Sequence, residues 1–220
     1  MIEENLHKIS EELPSDVTLV AVSKFHPVEE ILRAYACGQR VFGENRPQEF
    51  ASKASVLPED IVWHFIGTLQ KNKVKLVMPY ASMIESIDSE GLLDAIEKWC
   101  CGNGYGKRID VLLELHLGAE ESKHGFAEEE IIDVLSDTSR WPHVRFCGLM
   151  GMATNTDDED IIRSDFSRIK AFMERLKKEF PVMGEFRELS IGMSGDWKIA
   201  LEYGATVIRI GTAIFGPREY

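Results

Sequence analysis

The order of apolar segments constrains the fold of this chain more than any other feature. Segments with strand character alternate with segments of helical periodicity along almost the whole sequence, and each strand-like segment ends in polar residues or glycine. Several helical segments are closed by glycine or proline, which commonly terminate helices. The strand-like segments are residues 18–24, 41–45, 63–67, 83–89, 110–118, 146–152, 188–194 and 207–216.

Eight strand–helix units in 220 residues predict an α/β fold, a (β/α)8 TIM barrel that occupies residues 1–220 as one domain. An open, doubly wound sheet would alternate in the same way and is the competing architecture. Its glycine-rich nucleotide-binding turn should follow a strand and open a helix. The glycines of residues 102–107 instead follow a helix and precede a strand. The barrel is therefore the favoured fold.

Composition and charge exclude several classes of function. Asp and Glu total 37 against 25 Lys and Arg, and no basic cluster with interleaved aromatics occurs, so nucleic-acid binding is not expected. No apolar run reaches the ~18 residues that a membrane span needs, so we expect a cytoplasmic protein without membrane contact. The four cysteines lack C-x-x-C spacing and are predicted to be reduced and, for the most part, packing residues, and no metal site is predicted.

A lysine stands where the first predicted strand ends. In the stretch LVAVSKFHPVEE, Val20, Val22 and Lys24 share one side of the strand. If that side faces the barrel interior, the amine lies at the carboxyl-terminal mouth, where barrel enzymes bind their ligands. Partial desolvation there would favour the neutral amine, which attacks carbonyl groups to form Schiff bases. The alternative is a lysine that only extends to solvent from a strand end.

Two turns near the end of the chain suit a phosphate group. Ser194 and Gly195 separate the seventh strand from a helix, and Gly211 and Thr212 follow the apolar part of the eighth strand. Hydroxyls and free backbone amides at such turns bind phosphate, and barrels often do so after strands seven and eight. Asp196 would repel the anion, so we expect its carboxylate to cap the following helix and to point away. Glycines that merely permit tight turns are the alternative.

Arg209 is predicted to point into the barrel, because the two isoleucines on the other side of its strand would pack against helices. A buried guanidinium needs an acceptor such as a ring nitrogen, a phosphate or a carboxylate. Glu114 and His116 on the fifth strand are candidate partners, although a polar network without a ligand role explains them equally well. His64 is predicted to be a packing residue with a satisfied ring.

A Schiff-base lysine combined with phosphate turns suits pyridoxal 5′-phosphate (PLP), and it also suits an aldolase that acts on phosphorylated sugars. Several motifs resemble those of the pyridoxal phosphate homeostasis proteins, also called the YggS or PROSC family. They run through nearly the whole chain: AVSKFHPVEEI, FGENRPQE, WHFIGTLQKNK, SIDS, GLMGMAT, LSIGMSGDWKIAL and VIRIGTAIFG. The departures are small, such as MSGDW where M-S-A-D-[FY] is usual, and affect only the detailed shape of the pocket.

The resemblance implies a single barrel like the N-terminal domain of alanine racemase, and it implies the site. PLP would form an aldimine with Lys24, Arg209 would face the pyridine nitrogen, and Asn45 of the G-E-N motif would contact the cofactor. The residues implied for the phosphate are Ser194, Gly195, Gly211 and Thr212.

The resemblance further implies a role in intracellular PLP (vitamin B6) homeostasis without an established catalytic activity. The protein would bind the cofactor and hand it to PLP-dependent apo-enzymes. Apart from the resemblance, we expect a monomer. The alternative is a PLP-dependent racemase of the alanine racemase type. That enzyme takes one base, a tyrosine, from a second domain of its partner subunit, whereas this sequence ends at Tyr220, directly after the eighth strand. We therefore expect a cofactor-binding protein and not an enzyme.

Overall fold

The computed structural model describes residues 1–117, 125–181 and 184–217. Eight parallel strands form a closed barrel in which each strand pairs with the next and β8 pairs with β1. The strands are β1 (Thr18–Val22), β2 (Val41–Glu44), β3 (Val62–Phe65), β4 (Met83–Ile87), β5 (Ile109–Glu114), β6 (Val144–Met150), β7 (Glu188–Ser190) and β8 (Val207–Ile210). The (β/α)8 prediction is confirmed, and the open sheet is excluded by the pairing of β8 with β1.

Helices surround this barrel. Within the described ranges they are α1 (Ile2–Glu12), α2 (Val28–Ala36), α3 (Pro47–Ala54), α4 (Val74–Val77), α5 (Glu90–Asn103), α6 (Glu128–Ser136), α7 (Glu159–Glu179), α8 (Trp197–Glu202) and α9 (Thr212–Phe215). The sequence predicted neither α1 nor α3, and the last strand-like segment divides into β8 and α9. Gly118, the predicted end of the fifth strand, and Tyr220 lie outside the described residues.

The main hydrophobic core lies between the barrel wall and the helices. Ala21 and Ile208 contribute to it from the outer face of the barrel. Phe50 of α3 packs edge-on against Phe65 of β3, with ring centroids 5.7 Å apart. Burial of one such side chain stabilises the fold by roughly 1.5–3 kcal/mol, so the helices are fixed on the barrel mainly by this layer. None of the helices in the described ranges has the length and apolar character needed to cross a membrane.

The side chains at the alternate positions of the same strands point into the barrel. Val20 pairs in register with Arg209, and both are buried. A β-carbon on Gly43 of the neighbouring β2 would lie 2.8 Å from Cγ1 of Val20, so glycine leaves the space that this valine fills. The side of β1 that carries Val20 and Val22 therefore faces inward, which is the condition that the sequence left open for Lys24.

Candidate functional site

The predicted site residues lie at one rim of the barrel. Lys24 follows the end of β1 by two residues, Asn45 directly follows β2, and Gly211 directly follows β8. Ser194 and Gly195 lie in the connection between β7 and α8. Because all eight strands are parallel, their carboxyl ends open onto the same face, which is where barrels place their ligand sites.

The pairing of β1 with β8 brings the two ends of the chain together at this rim. Ala21 pairs with Ile210, and a β-carbon on Gly211 would lie only 3.2 Å from the carbonyl oxygen of Val22. The Gly211 N–H in turn donates to Oγ of Ser194 at 3.4 Å. The turn that carries Lys24 and the two turns predicted to bind phosphate are thus adjacent in space.

Lys24 lies in a sharply bent turn that the structure fixes on both sides. Its side chain is partly buried, and the next residue, Phe25, has a positive φ of 69°. That conformation is costly for a residue with a bulky side chain, and it persists only where contacts stabilise it. Such a contact is present, since the Phe25 N–H donates to Oε1 of Glu49 at 2.6 Å.

A buried lysine on α3 supports this turn from the outer side of the barrel. Nζ of Lys53 donates to the carbonyl oxygen of Ser23 at 2.8 Å and to carboxylate oxygens of Glu44 and Glu49 at 2.7 Å each. Oγ of Ser23 also donates to Glu44 at 2.7 Å. Burial raises the pKa of Glu44, and its contacts with Lys53 only partly oppose that effect. The ends of β1 and β2 are therefore joined through a charged cluster beneath the rim.

An aromatic contact holds the same turn from the other side. The ring of His26 stacks on Phe215 of α9, with centroids 4.7 Å apart and an interplanar angle of 26°. Nδ1 of His26 lies 2.7 Å from Oε2 of Glu30 on α2. The segment around Lys24 is thereby fastened both to α3 and to α9, the short helix that begins at Thr212.

Arg209 points into the barrel, as predicted, but its partners differ from those proposed. Its guanidinium donates to Ser190 through both the carbonyl oxygen and Oγ, and to the carbonyl oxygen of Gly151 at 3.0 Å. Its salt bridge within the described chain is with Glu85, at 3.6 Å, and not with Glu114 or His116. Periodicity along β8 identifies the face of the arginine, whereas the partner depends on which strand lies across the barrel.

Glu85 connects two strands besides its own. Oε1 lies 2.6 Å from Nδ1 of His64 on β3, and Oε2 accepts from Oγ of Ser190 on β7 at 2.6 Å. Burial raises the pKa of Glu85, but its interactions with His64 and with the charge of Arg209 outweigh burial and hold that pKa below its usual value. His64 is thus a buried residue with a satisfied ring, as predicted, in a polar layer across the barrel.

A buried polar atom at the rim supports a ligand site there. Oδ1 of Asn45 is inaccessible to solvent and has no hydrogen-bond partner among the described residues, and the same is true of Oε2 of Glu44. Leaving a polar atom unpaired in this way costs roughly 1–3 kcal/mol. Both atoms lie at the carboxyl end of β2, but the carboxylate of Glu44 faces the Lys53 cluster on the outer side of the barrel. Asn45, directly after β2, therefore supplies the acceptor that fits a ligand with a hydrogen-bond donor.

The connection after β7 leaves free space around Gly195. A β-carbon on Gly195 would meet nothing within 4 Å. A tight turn is therefore not the reason for a glycine at this position. The expectation for Asp196 is wrong, because its Oδ1 accepts from the Met193 N–H at 2.6 Å and makes no capping bond to α8. Its carboxylate folds back onto the loop. A cavity of about 470 Å³ next to this loop is lined by Gly195, Met193 and the residues that follow β6.

The sequence did not identify the residues that support the rim. Glu49 and Lys53 have the i, i+4 spacing of an ordinary ion pair on a helix surface, and a lysine on a helix is normally solvated, so the spacing gave no sign of a buried cluster with Glu44. The only available signal was Glu44 itself, an acidic residue inside an apolar strand of the motif FGEN. Its burial, and the position of its partner on α3, become visible only with the fold.

Comparisons with known proteins agree with this fold. A family model described as alanine racemase, N-terminal domain, matches residues 1–219. Two curated relatives named pyridoxal phosphate homeostasis protein are similar over most of their length. The protein of Aquifex aeolicus is 39% identical over 92% of this chain and 87% of its own. That of Homo sapiens is 38% identical over 92% of this chain and 77% of its own. Among solved structures, PipY of Synechococcus elongatus PCC7942 with PLP bound has a TM-score of 0.90 at 35% identity, over 98% of this chain and all of PipY.

Proposed function

The chain belongs to the pyridoxal phosphate homeostasis proteins, within the family of the alanine racemase N-terminal domain, and from that premise we propose that it binds PLP reversibly through a Schiff base with Lys24. The observation that carries this proposal is the position of Lys24, which lies in a fixed turn at the barrel rim beside Gly211 and Ser194. A relative solved with PLP bound supports the same ligand.

The covalent step needs only the lysine and the aldehyde group of the ligand. Lys24 would hold PLP as a Schiff base: both protons of its neutral amine would leave with the aldehyde oxygen as water, and hydrolysis would release the free aldehyde again. The Lys53 cluster and the stack of His26 on Phe215 fix the backbone on either side of Lys24. In this way the amine is oriented before the ligand arrives, which reduces the entropic cost of binding.

The remaining site residues divide between the phosphate and the ring. The hydroxyls of Ser194 and Thr212 and the turns of Gly195 and Gly211 surround the phosphate after β7 and β8. Asn45 offers its buried carbonyl oxygen to a donor on the ligand. Arg209 faces the pyridine nitrogen from the barrel interior, where Ser190 and Glu85 already hold its guanidinium.

This arrangement suits storage of the cofactor better than catalysis. A positive group beside the pyridine nitrogen disfavours protonation of the ring, and an unprotonated ring stabilises carbanions poorly. The protein acts in the cytoplasm as a monomer, limits free PLP and releases it to apo-enzymes. Steady exchange of amino-acid α-protons by the holo-protein in D₂O would instead assign it to the enzymes.

A titration with PLP tests the proposal. Binding should produce the absorption band of a PLP Schiff base near the edge of the visible range, and Lys24→Ala should abolish that band. Lys75→Ala, at an exposed lysine on α4, is the matched control and should titrate like the wild type. An unchanged band in Lys24→Ala would remove this lysine from the site.

A further inference from the structure

A cluster of three potential metal ligands lies at the end of the barrel opposite the rim. Glu97 and Cys101 are one turn apart near the end of α5, and His143 directly precedes β6. A carboxylate oxygen, a thiol sulfur and an imidazole nitrogen from these residues all lie within 4.8 Å of one another. Neither the sequence motifs nor the proposed PLP site uses any of the three.

One carboxylate holds the cluster together. Oε1 of Glu97 lies 2.6 Å from Nδ1 of His143 and accepts a hydrogen bond from Sγ of Cys101 at 3.3 Å. Oε2 of the same carboxylate accepts from the His143 backbone N–H at 3.0 Å, which fixes its orientation. The thiol and the ring nitrogen therefore both point at one oxygen, and the three ligand atoms converge on a small volume between α5 and β6.

We propose that Glu97, Cys101 and His143 bind a divalent transition-metal ion of the zinc class. Zinc takes its ligands from Cys, His and Asp or Glu, and three protein ligands leave the fourth tetrahedral position for water. A tetrahedral zinc ion separates such ligand atoms by roughly 3.2–3.7 Å. The Sγ–Oε1 distance lies in that range, the Nδ1–Oε1 contact must open by roughly 0.7 Å, and all three ligand atoms already lie within 4.8 Å of one another.

The exposure of the ligands indicates a site that exchanges its ion with solvent. Cys101 is exposed, and the side chains of His143 and Glu97 keep 31% and 13% of their accessible surface. Binding requires the thiolate and a ring nitrogen without a proton. The thiol proton is therefore released to solvent, and the proton of the neutral ring resides on Nε2. Soft thiolate ligation favours zinc over magnesium or calcium, which prefer oxygen ligands.

The same three residues also link α5 to the start of β6 by hydrogen bonds alone, and a titration with Co²⁺ separates the two roles. Co²⁺ substitutes for zinc, and its bond to a thiolate gives a charge-transfer band in the near ultraviolet. Full-length protein, reduced and freed of metal with a chelator, should bind one equivalent of Co²⁺ with this band. Zn²⁺ should displace the Co²⁺ and abolish the band.

Two serine variants make the test specific. Cys101→Ser should lose the band and bind Zn²⁺ roughly tenfold more weakly or worse, as measured by competition with a chromophoric chelator. Cys37→Ser removes another exposed cysteine, at the end of α2, and should behave like the wild type. Circular dichroism of both variants checks that they fold. A band that survives in Cys101→Ser, a band lost in Cys37→Ser, or wild-type protein that binds neither ion at micromolar concentration overturns the proposal.

Discussion

Lys53 connects the stability of the protein to the geometry of its rim. Its ammonium group is buried, and its three acceptors include the carbonyl oxygen of Ser23, the residue before Lys24. A buried ammonium that makes three short hydrogen bonds compensates the charge of Glu44, which would otherwise be isolated beneath the barrel rim. The position of the proposed Schiff-base lysine therefore depends on a second lysine, which lies on the outer side of the barrel.

The variant Lys53→Met removes the ammonium group and keeps an unbranched apolar chain. We expect a loss of about 3–5 kcal/mol in the free energy of unfolding at neutral pH, because Glu44 stays buried without its partner. Lys53 opposes the burial that raises the pKa of Glu44, so the variant raises this folded-state pKa further. A carboxyl with a raised folded-state pKa costs stability as pH rises above its unfolded value of about 4.3.

Urea unfolding near pH 4.5 and pH 8 measures this effect. The loss caused by Lys53→Met should be smaller at the acidic pH, where Glu44 is protonated in the folded variant. Lys75→Met, at an exposed lysine, should stay within about 0.5 kcal/mol of the wild type at both values. A loss in Lys53→Met that is as small as the loss in this control would show that the cluster contributes little.

Ser194 and Thr212 provide a test of the phosphate turns. The double change Ser194→Ala with Thr212→Ala should weaken PLP binding by about 1–3 kcal/mol if the hydroxyls donate to the charged phosphate. Pyridoxal has the same aldehyde and ring but no phosphate, so its affinity should not change. Equilibrium titration of both ligands makes the comparison, and equal weakening of the two would place the phosphate elsewhere.

The contact between β6 and β7 is the tightest backbone approach at a glycine of the barrel wall. A β-carbon on Gly148 would lie 1.8 Å from the carbonyl oxygen of Glu188, its partner in register. The pairing of β5 with β6 shifts register between Val111 and Leu112, next to this position. The irregularity brings the two backbones together, and only glycine fits there.

Gly148→Ala should therefore destabilise the protein by more than ~3 kcal/mol, since the two strands must separate to admit a methyl group. Gly102→Ala is the matched control, because a β-carbon at this position near the end of α5 meets nothing within 4 Å. It should be neutral or stabilise the helix by up to ~1 kcal/mol. Thermal unfolding measures the midpoint temperature of both variants. Similar midpoints would show that β6 and β7 can separate to admit a methyl group at little cost in stability.

All eight strands of this barrel could be predicted from the sequence, but most of its polar contacts could not. A buried parallel strand is an apolar run that ends in glycine or polar residues, and that pattern located all eight strands. The helix α3 escaped prediction although Pro47 stands at its first turn, where proline is common. Alternation along β8 was enough to assign Arg209 to the interior. Its partner Glu85 could not be predicted, because it lies on a strand across the barrel and periodicity within one strand says nothing about which strands face each other.

Barrel closure brings residues from both ends of the chain to one rim. Lys24 comes from the first strand and its turn, whereas Ser194, Gly211 and Thr212 come from the last two units. The pairing of β8 with β1 makes these segments neighbours. A single ligand with an aldehyde at one end and a phosphate at the other can therefore connect the first and the last strand of the barrel.

Covalent trapping tests this account most directly. Borohydride reduces an imine to a stable secondary amine, so treatment of the PLP-loaded protein, followed by digestion and mass spectrometry, identifies the lysine that held the ligand. We predict the mass of a phosphopyridoxyl group on the peptide that contains Lys24, and an unmodified peptide around Lys53. A phosphopyridoxyl group on another lysine, with Lys24 unmodified, would contradict the account.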